Sequence, residues 1–132
     1  MIEPAPESKN PATALAKLQQ EINQLQRTIR LAIQEQLRVL AGESMGSLEL
    51  NRELAQSIHV LLESHGLRVR CNECGHPAIL RVSPRAGIPA GAFVFDHTID
   101  GHRTFHGGAS SLPGISIIAK PPRKKPGKRA AS

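Results

Sequence analysis

A chain of 132 residues with 39% hydrophobic but only 2% aromatic residues, and neither Trp nor Tyr, allows one small domain with extensions and a thin core. Its net charge of +6 is unevenly spread: residues 1–66 carry six basic and eight acidic groups, residues 67–119 five and three, and residues 120–132 six and none. No stretch reaches the roughly 18 apolar residues that span a bilayer, and the opening MIEPAPESKNPA has acids and prolines where a secretory signal needs an apolar run, so a cytoplasmic protein is expected.

Residues 1–9 are rich in Pro and Glu and are expected to be disordered. Asn10-Pro11 starts a helix, Asn as N-cap and Pro in the first turn. From there Leu15, Leu18, Ile22, Leu25 and Ile29 follow a 3-4-3-4 spacing. The same frame continues into Ala32 and Gln36, while Ile33, Leu37 and Leu40 carry an apolar stripe displaced by one position. This predicts one helix over 11–41 of coiled-coil type. Ser47 caps a second helix over 47–65, with Leu50, Leu54, Ile58 and Leu61 inside and Gly66 past its end. Together, residues 10–66 read as a helical hairpin or coiled coil. The first helix is longer than its partner, which favours self-association through 11–41.

The pattern changes at Leu67, and a β module is expected over 67–119. Strands are predicted at 67–70, 78–83, 93–99, 102–106 and 115–119. Asp100-Gly101 forms a two-residue hairpin turn between the third and fourth. Residues 84–91 and 107–111 read as loops. Residues 120–132 (KPPRKKPGKRAAS) are basic, broken by proline and expected to be disordered. The fold class is α+β: an N-terminal helical hairpin or coiled coil followed by a small zinc-bound antiparallel β module.

Cys71-Asn72-Glu73-Cys74-Gly75 places two thiols three positions apart, a spacing at which a tight turn brings both sulfurs to one ion. In a reducing compartment this pair reads as metal ligands ahead of a disulfide. With no further cysteine, the remaining ligands must come from elsewhere, and His76, His97, His102 and His106 are the candidates. Pairing across Asp100-Gly101 sets Ile99 against His102 and His97 against Thr104, so 97, 99, 102, 104 and 106 share a face. His102 and His106 lie about 13 Å apart on a straight strand, too far for one ion. His97 is a diagonal neighbour of each at roughly 7–8 Å. The pair is His97 with His106 or with His102. His106 is preferred because Gly107-Gly108 lets the backbone close on the site, whereas His102 sits beside the turn.

The CxxCG segment resembles the knuckle of zinc-ribbon and related zinc-binding modules over about 40 residues, Arg70 to Gly108. A typical ribbon has a second CxxC, which this chain lacks; the resemblance implies Zn²⁺ on Cys71 and Cys74, and the hairpin reading adds His97 and His106. Four protein ligands close the coordination sphere, which implies a structural, non-catalytic site. Asp96-His97 with Gly107-Gly108 also resembles an HNH endonuclease. The Asn expected after the glycine pair and the terminal helix are missing, however. In so small a module Phe93, Phe95 and Phe105 are expected to be core ahead of base-stacking platforms.

The expected function is that of a small, non-enzymatic zinc-binding protein associated with DNA or RNA. Its phosphate contacts would come from Lys120, Arg123, Lys124, Lys125, Lys128 and Arg129. A homo-oligomer through 11–41, or a larger protein partner, is expected, and no membrane. The alternatives are a protein–protein adaptor built on the coiled coil and zinc module, and the metal-dependent nuclease.

Overall fold

The computed structural model describes residues 10–122. Two helices, α1 (Pro11–Leu40) and α2 (Leu48–Glu63), precede five strands: β1 (Leu67–Arg70), β2 (Pro77–Arg85), β3 (Ile88–Ile99), β4 (His102–Ala109) and β5 (Ser116–Ala119). All strand pairings are antiparallel, so the fold is α+β. The chain divides into two compact units, Met1–Gln36 and Leu37–Ser132.

In the first unit, Asn10 caps α1 as its side chain dictates: Oδ1 accepts the N–H groups of Ala12 at 3.0 Å and Thr13 at 3.4 Å. Leu15, Leu18, Ile22, Leu25 and Ile29, the 3-4 stripe, are all exposed, Leu15 and Leu25 by more than 60%.

The second unit is built on the sheet, ordered β4-β3-β2-β1-β5. Ser47 caps α2 by accepting the Leu50 N–H at 3.2 Å. The residues that α2 buries are Asn51, Ala55, Ile58 and Leu62, and α2 packs on β1, β2 and β3. This corrects the interior set expected from sequence: Leu50 and Leu61 are exposed, and only Ile58 is common to both. The reason is Asn51, a polar residue that no apolar count selects. Its Oδ1 accepts the Met45 N–H at 2.8 Å, and its Nδ2 donates to Ser44 Oγ at 3.2 Å and to the Ala90 carbonyl at 3.3 Å. These bonds set the rotation of the helix on the sheet, one position from the Leu50 frame.

Two expected loops are strand instead. β2 and β3 run on through 84–91, joined by a two-residue turn at Ala86-Gly87, with an irregularity between Ser83 and Arg85. β4 continues through Gly107-Gly108, with its own register shift opposite Phe93 and Val94. Gly107 has φ +93°, and a Cβ there would stand 3.2 Å from the Phe93 carbonyl oxygen. Glycine is what lets β4 stay paired at this point.

The core of the unit combines Leu62 and Ile58 of α2 with Val69, Leu80, Val82, Phe93, Phe95 and Ile117 of the sheet and Leu112 of the β4–β5 loop. Phe105, expected inside, is 52% exposed, a consequence of its parity on β4: it alternates with the inward His106. Two hydrogen bonds tie the α1–α2 connection to the β4–β5 loop, Gly42 N–H to Leu112 O and Leu112 N–H to Glu43 O. No helix among the described residues is long and apolar enough to cross a membrane.

Candidate metal centre

Two strand connections, the β1–β2 turn and the β3–β4 hairpin, converge at one end of the sheet. Cys71 and Cys74 lie in the turn between β1 and β2, His97 near the end of β3, and His106 on the outer strand β4. The turn is held by backbone bonds from Cys71 N–H to His76 O at 2.8 Å and from Gly75 N–H to Cys71 O at 2.9 Å. Gly75 adopts φ +80°, the left-handed conformation that lets the chain fold back over the thiols.

The hairpin places the histidines. Asp100 and Gly101 both have positive φ, 51° and 79°, as a type I′ turn requires. The register that follows sets His97 opposite Thr104 and Phe95 opposite His106, so His106 is diagonal to His97 on the inner face. Their rings meet edge to face with centroids 4.9 Å apart. His102 lies beside the turn and is exposed.

One ligand atom from each of Cys71, Cys74, His97 and His106 lies within 4.8 Å of the others, and this cluster is able to hold a metal ion. Cys74 Sγ stands 3.1 Å from His97 Nε2, and Cys71 Sγ 3.3 Å from His106 Nδ1. Tetrahedral coordination with bonds of about 2.3 Å to sulfur and about 2.0–2.1 Å to nitrogen separates ligand atoms by roughly 3.3–3.8 Å. The two sulfur–nitrogen pairs stand near that spacing, and the other ligand atoms of the cluster lie no more than 4.8 Å apart.

Supporting residues complete the site. His97 Nδ1–H donates to the Thr104 carbonyl at 2.8 Å. A carbonyl only accepts, so this bond fixes the proton on Nδ1 and turns the Nε2 lone pair towards Cys74. Glu73, between the two cysteines, accepts the Gly107 N–H at 2.8 Å and ties the turn to β4 beside His106. Asn72 donates to the Gly114 carbonyl at 2.8 Å. The roles of Glu73 and of the Thr104 carbonyl are missing from the sequence reading. A backbone acceptor leaves no trace in residue type, and Glu73 carries a signal only in its place inside the CxxC turn.

The two thiols differ. Burial pushes the Cys71 thiol up, outweighing backbone hydrogen bonds from Cys74 and Glu73 that act the other way. Burial also pulls Cys74 upward, but hydrogen bonds from the His76 backbone and side chain and from Cys71 outweigh it and bring the thiol down to about 6. A thiol of that kind is a thiolate at neutral pH, the form that binds metal.

Of the basic residues assigned to phosphate contact, Lys120 is the one within the described residues. It is held by the fold: its N–H bonds the Gly66 carbonyl at 2.9 Å and its Nζ pairs with Glu63 at 2.7 Å. Arg123, Lys124, Lys125, Lys128 and Arg129 lie outside the described residues, as do residues 1–9. No family model matches this chain, and neither a curated protein nor a solved structure matches it.

Proposed function

We propose that Cys71, Cys74, His97 and His106 hold one structural Zn²⁺, and that the chain is a small non-catalytic protein that binds nucleic acid as a dimer. The observation that carries the metal reading is the convergence of two sulfurs and two imidazole nitrogens within 4.8 Å. Two thiolates with two imidazoles suit zinc over the oxygen-preferring Mg²⁺ and Ca²⁺. Four protein ligands leave no open position for water, which favours a structural role. Zinc here would join the β1–β2 turn to β3 and β4 and stiffen a sheet whose core holds only two phenylalanines.

Association with nucleic acid is supported by charge: six basic groups and no acid in residues 120–132. Such a segment neutralises phosphates without reading sequence. Dimerisation is supported by α1. Assigning Leu15, Ile22 and Ile29 to the a positions puts Leu18 and Leu25 at d, the combination that favours two parallel strands. The flanking e and g positions from Gln19 to Thr28 carry Glu21 as their one charge, so no like charges oppose the pairing.

The direct test is metal analysis of the purified chain. One zinc per chain is expected, with Cys71→Ser and His106→Ala each losing it and melting at lower temperature. A metal-free protein that still unfolds cooperatively in strong chelator overturns the reading.

A further inference from the structure

The sheet has a second face, opposite the one on which α2 packs. Alternation along the strands places Arg68 and Arg70 of β1, Arg81 of β2 and Arg103 of β4 on it, with Asp96 of β3 in the middle. Asp96 is only 7% exposed. It gathers two guanidinium groups: Arg81 Nε donates to Oδ2 at 2.5 Å, and Arg103 donates through Nε to Oδ1 at 3.1 Å and through Nη2 to Oδ2 at 2.8 Å. Arg81 and Arg103 themselves are about half exposed, at 47% and 62%. One buried carboxylate thus holds two cations side by side at the surface, leaving a local excess of positive charge. These side chains, with Thr98, His97 and Arg68, the last already paired with Glu63 of α2 at 2.6 Å, line a cleft of about 550 Å³.

Beside the cleft stands Phe105, directly across from Asp96 and more than half exposed. The Arg103 guanidinium lies over its ring, 5.1 Å from the centroid. An apolar ring on a solvent-facing strand, flanked by fixed guanidinium groups, has the two elements that single-stranded nucleic acid requires: cations spaced for phosphates and a flat surface for an unpaired base. A duplex keeps its bases stacked inside and cannot use the ring, and an acidic peptide has no aromatic base to lay on it.

We propose that this outer face, with Phe105 as the stacking residue and Arg81 and Arg103 as phosphate ligands held by Asp96, binds single-stranded nucleic acid. The proposal rests on the nucleic-acid reading above and assigns it a site on the folded sheet, distinct from residues 123–132. In it Asp96 is a positioning residue: its work is to hold the two forks in one plane, and the phosphate meets their outward N–H groups.

The test is binding of a labelled oligo-deoxythymidylate to the full chain, followed by fluorescence anisotropy over a range of salt. Phe105→Leu is expected to weaken binding roughly tenfold with an unchanged salt slope and an unchanged melting temperature, because the ring is exposed and base stacking is salt-insensitive. Arg81→Ala and Arg103→Ala are each expected to lower the salt slope by about one. Should either arginine variant fail to fold through the stranded Asp96, the double variant Arg103→Ala/Asp96→Asn carries the same readout. Full affinity in all of these variants, with binding abolished by deleting residues 123–132, overturns this site and leaves the nucleic-acid reading standing. No binding to single strand or duplex by the full chain at low salt overturns both. Equal affinity for duplex, or equal competition by a polyglutamate peptide, reduces the face to a general polyanion surface and also overturns the proposal.

Discussion

The two cysteines of one turn illustrate how unlike neighbouring residues become. Cys71 is sealed in the core, while Cys74 is partly open and carries the hydrogen bonds from the His76 backbone and side chain. In metal-free protein, Cys74 is expected to react with iodoacetamide well before Cys71 at neutral pH, and bound zinc should protect both. Peptide mapping after brief alkylation measures this, and equal labelling of the pair would contradict the assigned environments. Asp96 makes a second residue-scale case. Hydrogen bonds from Arg103 lead in holding its carboxyl below the usual range; burial opposes them and Arg81 adds to them. Glu63 is held down in the same direction, to about 2, first by Lys120 and then by Arg68. A carboxyl that binds its proton less tightly when folded gives stability that is complete above about pH 4.5 and disappears as the pH falls through the lower folded value. The melting-temperature gap between wild type and Asp96→Asn should therefore be widest near neutrality and narrow as the pH falls below about 4, the ordinary aspartate value, towards the lowered folded one. Comparing the two proteins at each pH cancels acid release of metal, which both share.

At the scale of the element, α2 turns on a single polar residue. Asn51 is fully buried and makes three hydrogen bonds, to Met45, Ser44 and Ala90. Asn51→Ala is expected to cost about 2–4 kcal/mol, since it strands a backbone N–H and a carbonyl as well as leaving a gap. Leu61→Ala, on the exposed side, should cost less than about 1 kcal/mol by denaturant titration. A reversal of that order would restore the helix frame expected from the leucines. For α1 the proposed seam predicts that Ile22→Asp converts a dimer to a monomer by sedimentation, with zinc content unchanged. Its elements also show what was legible beforehand. Asn10 and Ser47 marked both helix starts because caps are local chemistry. Asp100-Gly101 fixed the hairpin register, and with it the diagonal between His97 and His106. What escaped the sequence was decided by contact at a distance: the rotation of α2, the strand extension through residues 84–91, and the exposure of Phe105.

For the whole molecule, the second unit is a sheet with two differently employed faces. The inner one carries the core and the Cys/His cluster, and the outer one the arginines. Its strand order brings β5 back against β1, with Leu67 opposite Ala119 and Arg70 opposite Ser116. The clustering of Cys71, Cys74, His97 and His106 was readable because each position came from a short-range rule, the CxxC spacing or the hairpin register. Their joining across the β1–β2 turn and the β3–β4 hairpin needed the folded sheet. Assembly of the centre is thus coupled to completion of the fold, and chelation is expected to lower the melting temperature of the whole unit in one transition, not to loosen a single loop. Calorimetry with and without chelator would detect the alternative as a separate low-temperature peak.

The strap from Glu73 to Gly107 bears on more than the ligands. β4 is the last strand on its side of the sheet, and such a margin offers free amides and carbonyls to any passing chain. Here the Gly107 amide is already engaged by Glu73, and the neighbouring His106 is drawn inward by the cysteines. The proposed Zn²⁺, bonded to both Cys71 and His106, would reinforce that inward pull, and its loss would leave the edge more open to strand addition. The centre would then guard solubility as well as shape, and its failure would be seen first as self-assembly into insoluble β-rich material.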